Sequence, residues 1–149
     1  MRKVEGSVLI LQCNKCRSIF PAVQFSGDTD MVTLDLVAAT ALSGNRVVLG
    51  EIQPDQPQSH ELAERQFAKH ASRKLQGPFK PVSLRKNEPN IAPIGVSFPE
   101  FAVAYRPPRL TFNCIHCSGE AEVIDELSFS KFEATGGEVV VTGEFILAT

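Results

Sequence analysis

Four cysteines carry the clearest chemistry in this chain. They form two CxxC pairs, Cys13-Asn14-Lys15-Cys16 and Cys114-Ile115-His116-Cys117, with residues 17 to 113 between them and no cysteine left over. A CxxC turn sets two thiolates on one side of a tight loop. Two such turns meeting tip to tip give the tetrahedral sulfur cage that Zn²⁺ favours. The long gap is a weak objection, because loop-closure entropy grows by only about 0.6 kcal/mol per doubling of length. A redox dithiol ranks below zinc, since it is normally activated at a helix N-terminus and neither pair here leads into a helical pattern. Structural disulfides also rank lower. The opening MRKVEGSVLILQCNK has only a four-residue apolar run, residues 8 to 11, and no secretory signal pattern. We therefore expect one structural Zn²⁺ held by Cys13, Cys16, Cys114 and Cys117 in a cytoplasmic protein. A closed four-sulfur set has no open position, so the metal is read as structural rather than catalytic.

The flanks of the two pairs predict how they are held. SVLILQ precedes the first pair and RSIFPAVQF follows it; RLTFN precedes the second and SGEAEVIDEL follows it. Each set reads as strand, cysteine turn and return strand. A lone hairpin is marginal in water, so two knuckle hairpins should share a sheet and a metal. Residues 31 to 37 alternate in polarity, Ser43-Gly44-Asn45 marks a turn, and RVVLGEI follows as another strand. Residues 127 to 134 lead to Gly136-Gly137, and Val139, Val141, Phe145 and Leu147 then recur at period two. That pattern predicts a terminal hairpin.

One helix interrupts the strands. Ser59 suits its N-cap, Ala63, Phe67, Ala71 and Leu75 give an apolar stripe, and Gly77-Pro78 ends it. Seven of the ten prolines then fall within residues 77 to 108. Most of that stretch cannot join a central strand. It reads as a long loop with one short strand at residues 101 to 105, and long loops are often functional. The fold class expected is mainly β, α+β with one helix: two packed antiparallel sheets or a β-tent, clamped by the cysteine zinc site. Residues 1 to 149 form one domain, with a helical and proline-rich insertion at about residues 59 to 108.

Composition excludes several classes. At 149 residues and 43% hydrophobic, the chain suits one domain with a core and is too apolar for disorder. It has no apolar run long enough to span a membrane. The formal net charge of −2 conceals a strong asymmetry. Residues 1 to 64 carry −3, residues 65 to 109 carry +7, and residues 110 to 149 carry −6. The basic middle is the candidate partner-binding surface, through Arg65, Lys69, Arg73, Lys80, Arg85 and Lys86. A protein partner is the leading expectation. Nucleic acid is the alternative, with Phe79, Phe98, Phe101 and Tyr105 interleaved among the cations. Against it stands an acidic chain with a pI near 5.9. A bland reading also remains, in which the basic stripe is a solvated face or pairs with the acidic C-terminal third.

An enzyme is the third class considered. His60-Glu61-Leu62-Ala63-Glu64 is like the HExxH zinc-protease motif, but Glu64 stands where the second histidine belongs. An acidic first turn, favoured by the helix dipole, explains it better. The zinc-deaminase signature fails because Asn113, not proline, precedes Cys114. His116 lies inside the second knuckle, and with four thiolates available it is read as pointing to solvent. There is no phosphate loop, no dinucleotide glycine fingerprint and no nucleophile elbow.

Cys13/Cys16 and Cys114/Cys117, each at the tip of a hairpin in a β-rich chain, resemble the yippee-type β-tent zinc folds and are zinc ribbon-like. The resemblance covers roughly the first fifty and last forty residues. It implies paired sheets clamped by zinc, with function on a sheet face or in loops. The chain departs from that pattern in spacing, in its insertion, and in the glycine expected directly after each second cysteine: Arg17 and Ser118 stand there, with Gly119 one residue later. A methionine-sulfoxide-reductase activity, found on a related fold, needs a further catalytic sulfur that this chain lacks. Fold alone would not settle function among such relatives.

Overall fold

The computed structural model describes residues 2–25, 36–52, 60–83 and 111–148. Among the described residues, ten strands and two helices run in the order β1 (Arg2–Val4), β2 (Gly6–Cys13), β3 (Ile19–Phe25), β4 (Leu36–Ala41), β5 (Arg46–Glu51), α1 (His60–Lys74), β6 (Phe79–Lys80), β7 (Thr111–Asn113), β8 (Glu120–Leu127), α2 (Phe129–Ala134), β9 (Glu138–Val141) and β10 (Phe145–Leu147). The protein is mainly β, as its alternating and β-branched runs predict.

The strands form three sheets. The knuckle sheet has the order β3-β2-β8-β7, the second sheet β6-β4-β5-β9, and β1 pairs with β10 alone. Both cysteine turns sit where expected: β2 and β3 form one antiparallel hairpin, β7 and β8 the other. They join because β2 pairs with β8, with Cys13 opposite Ala121. The two hairpins therefore stand side by side with their tips at the same end of one sheet.

The second sheet is buried on both faces, which explains the unbroken apolar run VVLG in β5. Leu36, Val47 and Leu49 face a core completed by Val8, Phe129, Phe132 and Phe145. On the other face, Ala39, Ala41 and Val48 receive Ala68 and Ala71 of α1, with Phe79. Thr40 ties the two sheets: its buried hydroxyl donates to the Pro21 carbonyl at 2.7 Å. The expected stripe of α1 holds, with Ala63 and Ala71 buried and Phe67 and Leu75 half-buried. The helix chain stops at Gly77, whose N–H donates to the Ser72 carbonyl at 2.9 Å.

The terminal hairpin is overturned. Residues 129–134 are helical, with Ser128 as N-cap accepting from the Lys131 N–H at 3.1 Å. Phe129 and Phe132, three apart, bury one side of that turn. β9 and β10 do not pair with each other; β9 joins β5 in parallel and β10 joins β1 in parallel. The cause is a tether between them. The Thr142 N–H and hydroxyl both donate to the Leu49 carbonyl at 2.9 Å, which holds the chain on β5 before it crosses to β1. Period two marked strands here but could not name their partners.

Ser59, Arg85, Lys86, the strand expected at residues 101 to 105 and most of residues 31 to 37 lie outside the described residues. No described helix is long and apolar enough to cross a membrane.

The seat of α1 depends on Gly50. A Cβ there would collide with the Phe67 ring, with Cζ at 2.8 Å, and with Thr142 Oγ1 at 2.8 Å. Gly50→Ala should therefore displace the helix and lower stability by about 1–3 kcal/mol, read by chemical denaturation.

Candidate metal centre

The four thiols converge. Cys13, Cys16, Cys114 and Cys117 place their sulfurs within 4.8 Å of one another. Across the two hairpins, Cys13 Sγ lies 3.5 Å from Cys117 Sγ and Cys16 Sγ lies 3.7 Å from Cys114 Sγ. A tetrahedron with metal–sulfur bonds of about 2.3 Å has edges of about 3.8 Å. The spacing therefore suits a metal ion. It is well beyond a disulfide bond, and all four thiols are free.

The two knuckles repeat one backbone design. In the first, the Arg17 N–H donates to the Cys13 carbonyl and the Cys13 N–H to the Ser18 carbonyl. In the second, Ser118 donates to Cys114, and Cys114 to Gly119. Amides also point at sulfur: Lys15 and Cys16 N–H donate to Cys13 Sγ at 3.3 and 3.4 Å, His116 N–H to Cys114 Sγ at 3.3 Å, and Gly119 N–H to Cys117 Sγ at 3.4 Å. Such bonds favour the thiolate.

The missing glycines now have a physical account. Arg17 and Ser118 adopt φ of 65° and 62°, the left-handed conformation that the turn requires. Both pay a steric cost of about 1–2 kcal/mol that glycine would not. Gly119 answers a different need. A Cβ there would lie 3.2 Å from Cys117 Sγ, 3.3 Å from Cys13 Sγ and 3.1 Å from the Lys15 side chain. The corresponding Ser18 instead brings its hydroxyl to 3.0 Å from Cys16 Sγ.

Burial is uneven around the cage. Cys13 and Cys114 belong to an apolar core with Leu11, Phe20, Ile115 and Ala121, while Cys16 is exposed. The Ser18 hydroxyl and then its backbone bond draw the Cys16 thiol down to about 6. Burial raises the Cys13 thiol, but the Cys16 and Lys15 amides and the Cys117 thiol outweigh it and leave it lowered. The Gly119 amide lowers the Cys117 thiol, yet Cys13, burial and the other two cysteines together hold it up at about 11. Cys13 and Cys16 thus favour the thiolate, and Cys117 keeps its proton because thiolate charge already sits beside it.

Arg65, Lys69, Arg73 and Lys80 all line one cleft of about 750 Å³. One wall is α1; the other is formed by Asn113, Cys114, Ile115 and Ser118. Phe79, Pro81 and Ser83 connect them. This connection is covalent and hydrogen-bonded: Lys80 pairs with Thr40, and the Asn113 N–H donates to the Ser83 carbonyl at 2.9 Å. Four of the six cations singled out by charge patterning therefore share a cleft with a metal-cage cysteine. Sequence reasoning missed Asn113, Ile115, Ser118 and Ser83 as its other walls. Only the position of Ile115 inside the CxxC turn hinted at one of them. The HELAE segment opens α1 at His60, and the cysteine set is the group of metal-ligating side chains found together among the described residues.

Filling the cage must expel the proton retained on Cys117. The apparent affinity for a divalent cation should therefore rise with pH from about 6, where Cys16 ionises, towards about 11, where Cys117 does. Calorimetry in buffers of differing ionisation enthalpy should show proton release, and a pH-independent affinity would contradict the geometry.

No protein-family model matches the chain, and no curated protein or solved structure matches it.

Proposed function

We infer that the protein is a non-catalytic binding module, stapled by a structural Zn²⁺, that engages a protein partner through its basic middle segment. The observation that carries this is the shared wall: Cys114 belongs to the sulfur cage and also lines the cleft that holds Arg65, Lys69, Arg73 and Lys80. Metal binding would fix Ile115 and Ser118 opposite α1. Zinc is the metal that the donor set favours, since it accepts four thiolates in a tetrahedron without geometric preference of its own. Four sulfurs complete its shell, so the ion would supply cross-linking and charge compensation rather than a reactive site. The yippee-type β-tent is proposed as the fold's relation on the same two hairpins sharing one sheet.

Structural zinc contributes about 10–16 kcal/mol of apparent binding energy in small zinc domains. That matches or exceeds the whole stability of an ordinary domain, about 5–15 kcal/mol. Metal analysis should find one Zn²⁺ per chain, and Cys114→Ser should abolish both the zinc and the cooperative unfolding transition. A metal-free chain that unfolds cooperatively with four free thiols would contradict the structural role. For the partner, a photo-cross-linker at Lys80 should yield a protein adduct in cells that is lost with Cys114→Ser. An adduct to nucleic acid instead would favour the alternative.

A further inference from the structure

We propose that the cleft between α1 and the second knuckle binds an extended acidic segment of a partner protein, with carboxylates at alternate residues set against Arg65, Lys69 and Arg73. This deepens the binding-module reading and rests on it.

Spacing comes first. The three cations recur every fourth residue of α1 and all line the cleft. Four helical residues advance about 6 Å. Two residues of an extended chain advance about 6.7 Å. Three carboxylates at alternate positions therefore keep register with three helix cations over the length of the cleft. The intervening side chains of such a strand point the opposite way. They would meet the knuckle wall, which offers Ile115 and the short polar Asn113 and Ser118. Small or apolar residues suit those positions.

Charge comes second. No acidic residue lines the cleft among the described residues. Lys69, Arg73 and Lys80 are exposed and form no ion pair with another described residue. A filled cage would carry a formal −2 behind one wall, and four cations outweigh it.

Other occupants fit less well. Single-stranded nucleic acid needs exposed aromatic faces for stacking; Phe79, the aromatic ring among the described cleft residues, is only 4% exposed. Residues 84 to 110 follow Ser83 in the sequence, but they carry Arg85, Lys86, Arg106 and Arg109 against Glu88 and Glu100. Their charge repeats that of the cleft. In a second copy, β8 offers only two carboxylates at alternate positions before Ile124 breaks the series, Glu120 and Glu122, and there it is paired with β7 as well as β2.

The test uses the zinc-loaded full chain and fluorescence anisotropy. Three labelled probes are compared: a hexapeptide alternating glutamate and alanine, a hexapeptide with three glutamates followed by three alanines, and a short oligothymidylate. The alternating peptide should bind at least tenfold more tightly than the block peptide. Lys69→Glu and Arg73→Glu should each weaken it at least tenfold while leaving the zinc content and thermal midpoint unchanged. Equal affinity for the two peptides, tighter binding of the oligonucleotide, or indifference to both substitutions would overturn the proposal. Equal peptide affinity with a persisting protein adduct at Lys80 would remove the alternating segment and leave the binding-module reading standing. An oligonucleotide preference with no protein adduct would remove both.

Discussion

Four thiolates within 4.8 Å of one another repel strongly unless a cation sits among them. Two like charges at 4 Å cost about 4 kcal/mol even at the effective dielectric near a protein surface. The protein has nonetheless aimed four backbone amides at three of these sulfurs and drawn two hairpins together to hold them. The raised Cys117 thiol beside the depressed Cys13 and Cys16 thiols records that unresolved repulsion. A divalent cation resolves it. A filled cage would then link two turns separated by 97 residues (17 to 113), adding to the β2–β8 ladder.

The same link organises the proposed binding surface. α1 is seated on the second sheet through Ala68, Ala71 and the close approach of Phe67 to Gly50. The second knuckle belongs to the other sheet. Residues 79 to 83 run between them, leaving β4 at Lys80 and reaching Asn113 at Ser83. A cleft with walls from two sheets keeps its width only if both walls are fixed. Packing fixes one, and a filled cage would fix the other.

Much of this was legible in the sequence, and for identifiable reasons. Two CxxC pairs with no spare cysteine predicted a four-sulfur cluster, because few arrangements satisfy that count. The strand runs beside them predicted the hairpins, because alternation and tight turns are local properties. Charge patterning found Arg65, Lys69, Arg73 and Lys80, but not that they face a cleft. That placement depends on how α1 lies against a knuckle more than thirty residues away. The C-terminal strands were misassigned to each other for the same reason. Val139 and Val141 announce a strand, whereas its partner strand β5, with Val47 and Leu49 opposite them, is held by a tether from Thr142 to Leu49. Arg17 and Ser118 were departures from a glycine pattern in the sequence; their positive φ shows that the turn is kept and the strain accepted.

The central claim is that all four cysteines, and nothing else, hold the metal. X-ray absorption at the zinc edge of the purified chain tests it most directly. The account predicts a single shell of four sulfurs at about 2.3 Å with no nitrogen or oxygen neighbour. A shell with a lighter donor, such as the His116 imidazole or water, or fewer than four sulfurs, would contradict it.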